Sequence, residues 1–208
     1  LPAAPTPDQR QATGNGAGGY VSFDTTSDRD VRVKVGISFV DIDNAVANLD
    51  AEKPDWDFDA LRDQTRTDWN DALRTISVSG ATDLEKTSFY TALYHAQHHP
   101  NIYQDVNGEY MGYDGRVHTV EGREQYANFS LWDTYRGENQ LLATIDRARY
   151  RDMMLSLLTA YEQVGRGPVV GRLLEQPRVA VVVPADPPGV ALAEHHHLAP
   201  ARCRAGGG

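Results

Sequence analysis

Cysteine, long apolar runs and positive charge are all scarce in this chain of 208 residues. The single cysteine, Cys203, cannot form an internal disulfide bond and matches no zinc-binding spacing. No apolar run reaches about eighteen residues, so the sequence predicts no membrane span. Acidic residues outnumber basic ones by 29 to 20, which gives a formal net charge of −9. This balance argues against nucleic acid as a partner, because phosphate binding needs a concentrated positive surface.

Aromatic residues are missing from the C-terminal tail, residues 164–208. The 5 phenylalanines, 3 tryptophans and 10 tyrosines all lie at or before Tyr161. The same tail has no lysine and more than half of the 11 prolines. This composition predicts a tail that is disordered, or foreign to the preceding fold because of a frameshift. A natural proline-rich linker is the alternative, since such compositions are common between domains.

The first residues, LPAAPTP, have neither the basic region nor the apolar region of a secretory signal. We therefore expect no signal peptide in this chain, and the residues alone leave the compartment unknown.

Strand patterns precede helix patterns along the chain. YVSFDT (20–25) predicts a strand, and residues 31–39 alternate apolar and polar side chains, which predicts a second strand with its valines and isoleucine buried. Helical periodicity then covers residues 57–76, 82–99, 129–145 and 150–161. A capping box at Thr82 and Glu85 is expected to start the second helix, and Asn128 or Ser130 the third. The order predicts an α+β protein with a sheet domain followed by a helical domain.

Three sequence features resemble metal sites without matching one. His95, His98 and His99 lack the HExxH pattern, and imidazoles at the end of a helix interact favourably with its dipole. DVNGEYMGYDG (105–115) has its glycine in the wrong place for a calcium loop and predicts a β-hairpin. The run His195–His197 has no neighbouring residues that would support a metal ion. We assign no metal ligand in this chain.

Trp132 and Asp133 form the best candidate for a binding site. An indole face can stack on the C–H surface of a sugar ring, and a carboxylate can accept hydrogen bonds from two hydroxyls. Alternatively, Trp132 packs in the core and Asp133 stabilises the start of a helix. The residues alone leave both interpretations open.

A family resemblance favours the first interpretation. FYTALYHAQHHPNIYQDVNGEYMGYDG (89–115) followed by FSLWDTYR (129–136) resembles glycoside hydrolase family 92, the calcium-dependent exo-acting α-mannosidases. The resemblance covers about residues 18–163 and ends abruptly there. It implies the last strands of an N-terminal β-sandwich followed by the first helices of an (α/α)6 barrel. The expected domains are the sandwich end at 1–50, a linker helix at 51–78, the barrel start at 79–163 and the tail at 164–208.

The resemblance also implies a function. Family members hydrolyse terminal α-linked mannose with inversion, use Ca²⁺, bind mannose-containing glycans and are secreted or periplasmic. Only Trp132 and Asp133 map onto the family's sugar-binding floor. The family's catalytic acid, its general base and most of its calcium ligands match nothing in this chain, so we expect the chain alone to be inactive.

Two alternatives remain for the whole protein: a non-catalytic carbohydrate-binding protein, or the non-functional product of a broken gene. Asp133 and Glu138 are not expected to replace the missing acid and base. On one continuous helix at about 100° per residue they would lie about 140° apart.

Overall fold

The structure is a computed structural model that describes residues 11–13, 23–27, 29–164, 178–183 and 189–194. Within these ranges the helices are α1 (Ile42–Glu52), α2 (Phe58–Leu73), α3 (Asp83–Ala96), α4 (Leu131–Thr134), α5 (Glu138–Ile145) and α6 (Arg147–Val164). The strands are β1 (Gln11–Thr13), β2 (Lys34–Ser38), β3 (Asn101–Ile102), β4 (Glu109–Met111), β5 (Val117–Thr119), β6 (Tyr126–Ala127), β7 (Arg178–Val183) and β8 (Gly189–Glu194). The chain divides into two compact units, residues 1–52 with 175–208, and residues 53–174.

The first unit contains a four-stranded sheet in the order β1–β8–β7–β2. β2 runs antiparallel to β7, β7 runs antiparallel to β8, and β8 runs parallel to β1. Two of these strands belong to the tail, so the structure differs from the prediction of a disordered tail in those two segments. Valine is abundant in β7, and a β-branched side chain favours extended backbone. His195–His197 and Cys203 lie outside the described residues.

The strand predicted at 31–39 is formed over Lys34–Ser38, but the prediction of its buried face is wrong. Gly36 and Ser38 face α1 and are buried, whereas Val35 and Ile37 are 53% and 50% exposed. The reason is a close approach between strand and helix, because a side chain on Gly36 would collide with the carbonyl of Ala45. Small residues permit this approach, so here they form the buried face. The strand predicted at 20–25 is not formed at residues 23–25, and its other residues lie outside the described ranges.

Helix α1 was missed by the sequence analysis. The Asp41 side chain accepts a hydrogen bond from the Asn44 N–H at 2.8 Å, which caps the first turn. Ala45 and Leu49, four residues apart, are both buried on one face. The amide of Asn48 donates to the Ile37 carbonyl at 2.9 Å and holds the helix to β2. An aspartate followed by apolar residues at helical spacing was the signal available in the sequence.

The second unit, residues 53–174, begins with two helices that match the predictions. The Asp57 side chain caps α2 by accepting from the Ala60 N–H at 2.9 Å. Thr82 and Glu85 form both bonds of the predicted capping box at the start of α3. The hydroxyl and the backbone N–H of Thr82 both donate to the Glu85 carboxylate, and these two bonds hold the pKa of Glu85 below its usual value. Local side-chain hydrogen bonds therefore set the N-termini of both α2 and α3.

The predicted hairpin is also confirmed. β4 pairs antiparallel with β5, and Gly115 in the connecting turn has a φ of +75°. A left-handed conformation of this kind is readily adopted by glycine, which explains the Asp-Gly pair. Asp114 accepts a hydrogen bond from the His118 imidazole at 3.0 Å, and this bond lowers the pKa of Asp114. No calcium loop is needed to explain this segment.

The core of the second unit lies between β6, α5 and α6. Tyr126, Leu142 and Met153 are almost completely buried, and four half-buried residues pack against them: Phe129, Ile145, Tyr150 and Met154. Part of the apolar stripe predicted for the last helix therefore faces this core. The single helix predicted at 129–145 is wrong, because the structure has α4 and α5 with a break at residues 135–137. None of the helices in the described ranges is long and apolar enough to cross a bilayer.

Candidate functional site

The Trp132–Asp133 segment is held at both ends by the core of the second unit. Phe129 packs against that core just before α4, and Leu142 is buried in it one turn into α5. Between these anchors, three large apolar side chains are exposed: Leu131 is 39% exposed, Trp132 79% and Tyr135 51%. The segment thus presents an aromatic surface on a fixed base. Trp132 is therefore not packed in the core that the described residues of this chain form.

Ser130 orients the carboxylate beside that tryptophan. It occupies the N-cap position of α4, and its carbonyl accepts from the backbone N–H of Asp133 at 3.0 Å and of Thr134 at 3.1 Å. Its hydroxyl makes no capping bond to the backbone and instead donates to the Asp133 carboxylate. Asn128 is not the cap, because its amide donates to the Asn101 side chain at 2.9 Å. One carboxylate oxygen of Asp133 therefore accepts a hydrogen bond from Ser130, while the residue as a whole is exposed to solvent.

The break after α4 brings a second carboxyl group to the same segment. Gly137 has a φ of −165° and a ψ of −29°, outside the helical region, and Glu138 is the first residue of α5. Burial raises the pKa of Glu138, the charge of His99 opposes that effect, and the negative charge of Asp133 adds to it. Asp133 and His99 therefore both act electrostatically on the Glu138 carboxyl. The separation of about 140° expected on one continuous helix does not apply.

Glu138 and His99 were not identified as site residues from the sequence. The available signal was Gly137 inside an otherwise helical pattern, since an internal glycine weakens a helix and marks a place where it can break. Only in the folded chain does the charge of His99, in the turn after α3, act on Glu138 at the start of α5.

The other two histidines of the same motif have a different environment. His98 lies against Tyr94, with ring centroids 4.2 Å apart, and against Trp69 at 5.6 Å. His95 contacts Tyr94 at 5.7 Å between centroids. These rings belong to the packing between α2 and α3. In the part of the chain that the structure describes, no three His, Cys, Asp or Glu residues are grouped to hold a metal ion.

A small cavity lies elsewhere in the second unit. Its volume is about 100 Å³, and its lining includes the polar residues Thr75, Gln97, Asp146 and Arg149. The Nε2 of Gln97 is buried without a hydrogen-bond partner, while Arg149 donates to the Gln97 carbonyl at 3.3 Å. Neither Trp132 nor Asp133 lines this cavity. The candidate site is an open surface in the described residues, which suits one side of a binding cleft better than a closed pocket.

Comparison with known proteins identifies a family. Residues 44–187 match the model of the glycosyl hydrolase family 92 catalytic domain. The match continues past residue 163, where the motif resemblance was expected to end. An uncharacterized secreted glycosidase of Arthroderma benhamiae is 31% identical over 133 residues, covering 60% of this chain and 16% of that protein.

Solved structures agree with this assignment. A family 92 α-mannosidase of Bacteroides thetaiotaomicron superposes with a TM-score of 0.60 and 31% identity, covering 64% of this chain and 18% of its own. The same enzyme is also known in complex with mannoimidazole. An inverting family 92 mannosidase of that organism gives a TM-score of 0.61 and 26% identity, covering 67% of this chain and 19% of its own. The chain thus spans less than a fifth of the length of these relatives.

Proposed function

Because the chain belongs to glycoside hydrolase family 92, we propose that it is part of an exo-acting α-mannosidase that hydrolyses terminal α-linked mannose in glycans. The observation that carries the proposal is Trp132, which is 79% exposed beside Asp133 on a segment anchored in the core. An exposed tryptophan next to a carboxylate is suited to holding a sugar ring. The likeness to mannosidases, one of them bound to mannoimidazole, supports mannose as that sugar.

The chain's own residues would bind and orient the sugar. The indole of Trp132 would cover the apolar face of the ring, and the Asp133 carboxylate would accept hydrogen bonds from ring hydroxyls. The Ser130 hydroxyl restricts how that carboxylate can rotate. A charged acceptor that is already oriented loses less entropy on binding, which strengthens its hydrogen bonds to the sugar.

Hydrolysis with inversion would need residues from the rest of the protein. An inverting glycosidase uses an acid and a base about 6.5–9.5 Å apart, with the attacking water between them. Asp133 belongs to the proposed sugar floor, and this chain has no match to the family's catalytic pair. We therefore propose that the chain alone does not hydrolyse mannosides.

Calcium is proposed for the whole protein only. Ca²⁺ prefers six to eight oxygen ligands, several of them carboxylates. The described ranges hold no group of three or more acidic or histidine residues that would fit it, so no step is assigned to it here. Its role in the whole enzyme would be to bind sugar hydroxyls.

The proposed architecture follows the family. Residues 1–50 would be the end of the β-sandwich, 51–78 the linker helix and 79–163 the start of the (α/α)6 barrel. Residues 164–208 were expected to be a frameshifted tail or a linker, and the family match through residue 187 weighs against a frameshift before that point. The secreted relative supports export of the whole protein.

The test compares mannose release and mannoside binding by the 208-residue chain with Ca²⁺ present. We expect binding of methyl α-mannoside without hydrolysis, loss of binding in Trp132→Ala and about tenfold weaker binding in Asp133→Asn. Asp59→Asn, in the first turn of α2, is the matched control and should bind normally. Turnover that disappears in Asp133→Ala would contradict the assignment of Asp133 to binding alone. A whole gene product that binds mannose but never hydrolyses it would favour the carbohydrate-binding alternative.

A further inference from the structure

Asn128, which directly follows β6, has a left-handed backbone. Its φ is 63°, and it is the one non-glycine residue with a positive φ in the described ranges. The other positions of this kind in those ranges are all glycines: Gly80, Gly108, Gly115 and Gly122. Glycine adopts this conformation without steric cost, whereas a residue with a Cβ atom does not, although asparagine tolerates it better than most. Glycine would serve the turn alone, so the side chain of Asn128 has a further role.

The amide of Asn128 joins the end of β6 to a second segment of the chain. Its Nδ2 donates to the Oδ1 of Asn101 at 2.9 Å, and the Nδ2 of Asn101 donates to the His98 carbonyl at 2.9 Å. Asn101 is the first residue of β3 and lies opposite Ala127 in β6. The two amides therefore connect the end of β6 to the turn that follows α3. A glycine at position 128 could not make this bond.

The turn at Asn128 precedes the residues that hold the proposed site. An extended residue here would continue the direction of β6, whereas a left-handed residue changes it. Phe129 then packs against the core, and the Ser130 hydroxyl donates to the Asp133 carboxylate. The direction in which the chain leaves β6 therefore determines where the segment with Asp133 begins.

We infer that Asn128 is a positioning residue for the Trp132–Asp133 site. Its left-handed backbone turns the chain out of β6 towards α4, and its amide fixes this turn to β3 through Asn101. The inference deepens the proposed function and rests on it, because what Asn128 positions is the sugar-binding surface. Asn128 acts through the backbone that follows it, and we assign it no contact with the sugar.

The first experiment measures binding of methyl α-mannoside to the 208-residue chain by saturation-transfer NMR titration, at a temperature where circular dichroism shows each variant to be folded. Asn128→Ala loses both the favoured turn and the amide, so binding should weaken by more than about tenfold. Asn128→Gly keeps the turn and loses only the amide, and Asn101→Ala removes the acceptor of the same bond, so each should weaken binding about threefold. The double variant should bind like either single one, because both remove one shared bond. Asn70→Ala, at an exposed asparagine of α2, is the matched control and should bind as wild type.

A spectroscopic signal separates positioning from a purely structural role. The indole N–H resonance of Trp132 can be identified in a ¹H–¹⁵N spectrum by its absence in Trp132→Ala. This resonance should shift in Asn128→Ala and stay close to its wild-type position in Asn128→Gly, since glycine restores the turn. A purely structural Asn128 would instead lower the melting temperature in Asn128→Ala and leave both the Trp132 resonance and the affinity of the folded chain unchanged, which would overturn the inference.

The outcomes distinguish the inference from the proposed function. If Trp132→Ala abolishes binding while Asn128→Ala, Asn128→Gly and Asn101→Ala all bind as wild type, the inference is wrong and the proposed function stands. If Trp132→Ala and Asp133→Asn leave binding unchanged, or wild type binds no mannoside, both are wrong. Equal losses in Asn128→Ala and Asn128→Gly would overturn the role of the backbone turn. Should Asn128→Ala fail to fold, Asn128→Gly and Asn101→Ala decide, because wild-type affinity in both overturns the inference.

Discussion

Two regions of the helical unit, residues 53–174, use aromatic residues in opposite ways. Around β6, α5 and α6, Tyr126 is 3% exposed and packs with Leu142 and Met153. In the segment that follows Phe129, Trp132 is 79% exposed. The two regions are adjacent in sequence and share an anchor, because Phe129 touches the core and begins the exposed segment. The same short stretch therefore contributes to stability at one end and presents a binding surface at the other.

This difference separates the expected effects of mutation. Substitutions in the core should lower the free energy of unfolding, because they remove buried contacts and leave cavities. Substitutions at Trp132 and Asp133 should lower sugar binding and leave the fold intact, since these side chains are exposed. The contrast is testable at four places, beginning with the largest expected effect on stability.

Met153→Ala should be the most destabilising change. Met153 is 2% exposed, and truncating a buried methionine costs about 2–5 kcal/mol in free energy of unfolding. Leu158→Ala, on the same helix at 58% exposure, is the control and should cost less than about 1 kcal/mol. Urea unfolding followed by circular dichroism measures both. Equal losses would mean that the buried side of α6 is assigned incorrectly.

Ser156→Ala should have the next largest effect. The Ser156 hydroxyl accepts from the buried N–H of Tyr126 at 2.9 Å and donates to the Asp152 carbonyl at 2.7 Å. Without it, the Tyr126 N–H is left buried and unpaired, which costs about 1–3 kcal/mol. Thr144→Ala removes an exposed hydroxyl that bonds only its own helix, and it should be close to neutral. A neutral Ser156→Ala, measured by thermal unfolding, would contradict this account of the core.

Thr82→Ala should have a moderate effect through the start of α3. Its hydroxyl accepts from the Glu85 N–H and completes the capping box, and loss of such a cap costs about 1 kcal/mol. Ser130→Ala is the matched control, because Ser130 occupies an N-cap position without a capping bond to the backbone. Its effect should appear in mannoside affinity, through the freed Asp133 carboxylate, more than in the melting temperature. If Ser130→Ala lowered the melting temperature more than the affinity, and Thr82→Ala the affinity more than the melting temperature, the roles assigned to the two residues would be wrong.

Trp132→Ala should change stability least and binding most. An exposed side chain with few partners contributes within about 0.5 kcal/mol to the free energy of unfolding. Trp69→Ala is the control, since Trp69 packs on Tyr94 with ring centroids 4.4 Å apart and its loss should lower the melting temperature. In a titration with methyl α-mannoside the order should be reversed: Trp132→Ala should lower the affinity more than Trp69→Ala. Unfolding of Trp132→Ala at a clearly lower temperature would indicate that this indole is structural.

Much of the helical unit could be predicted from local sequence. The capping box at Thr82 and Glu85 and the Asp114–Gly115 turn were both predicted, because these residues interact with backbone only a few positions away. The family could also be predicted, since its motifs are contiguous stretches of chain. Trp132 and Asp133 were found through one of those motifs, and their role in binding stays a prediction.

The failures of prediction share a physical cause. Val35 and Ile37 were expected to be buried, but Gly36 faces α1 because the helix approaches closely there. One helix was expected at 129–145, but Phe129 and Leu142 pack into the same core from either side of the break. In both cases a contact between distant parts of the chain outweighs the local pattern.

The amino-acid sequence by itself determined where α2 and α3 begin and where the hairpin turns. It also determined to which family the chain belongs. Caps and turns depend on hydrogen bonds that reach only two to four residues, so the order of the residues suffices for them. Only the tertiary structure decided which face of β2 is buried and that the charges of Asp133 and His99 act on Glu138. Burial and electrostatic interactions depend on distances through space, and residues far apart in sequence determine those distances.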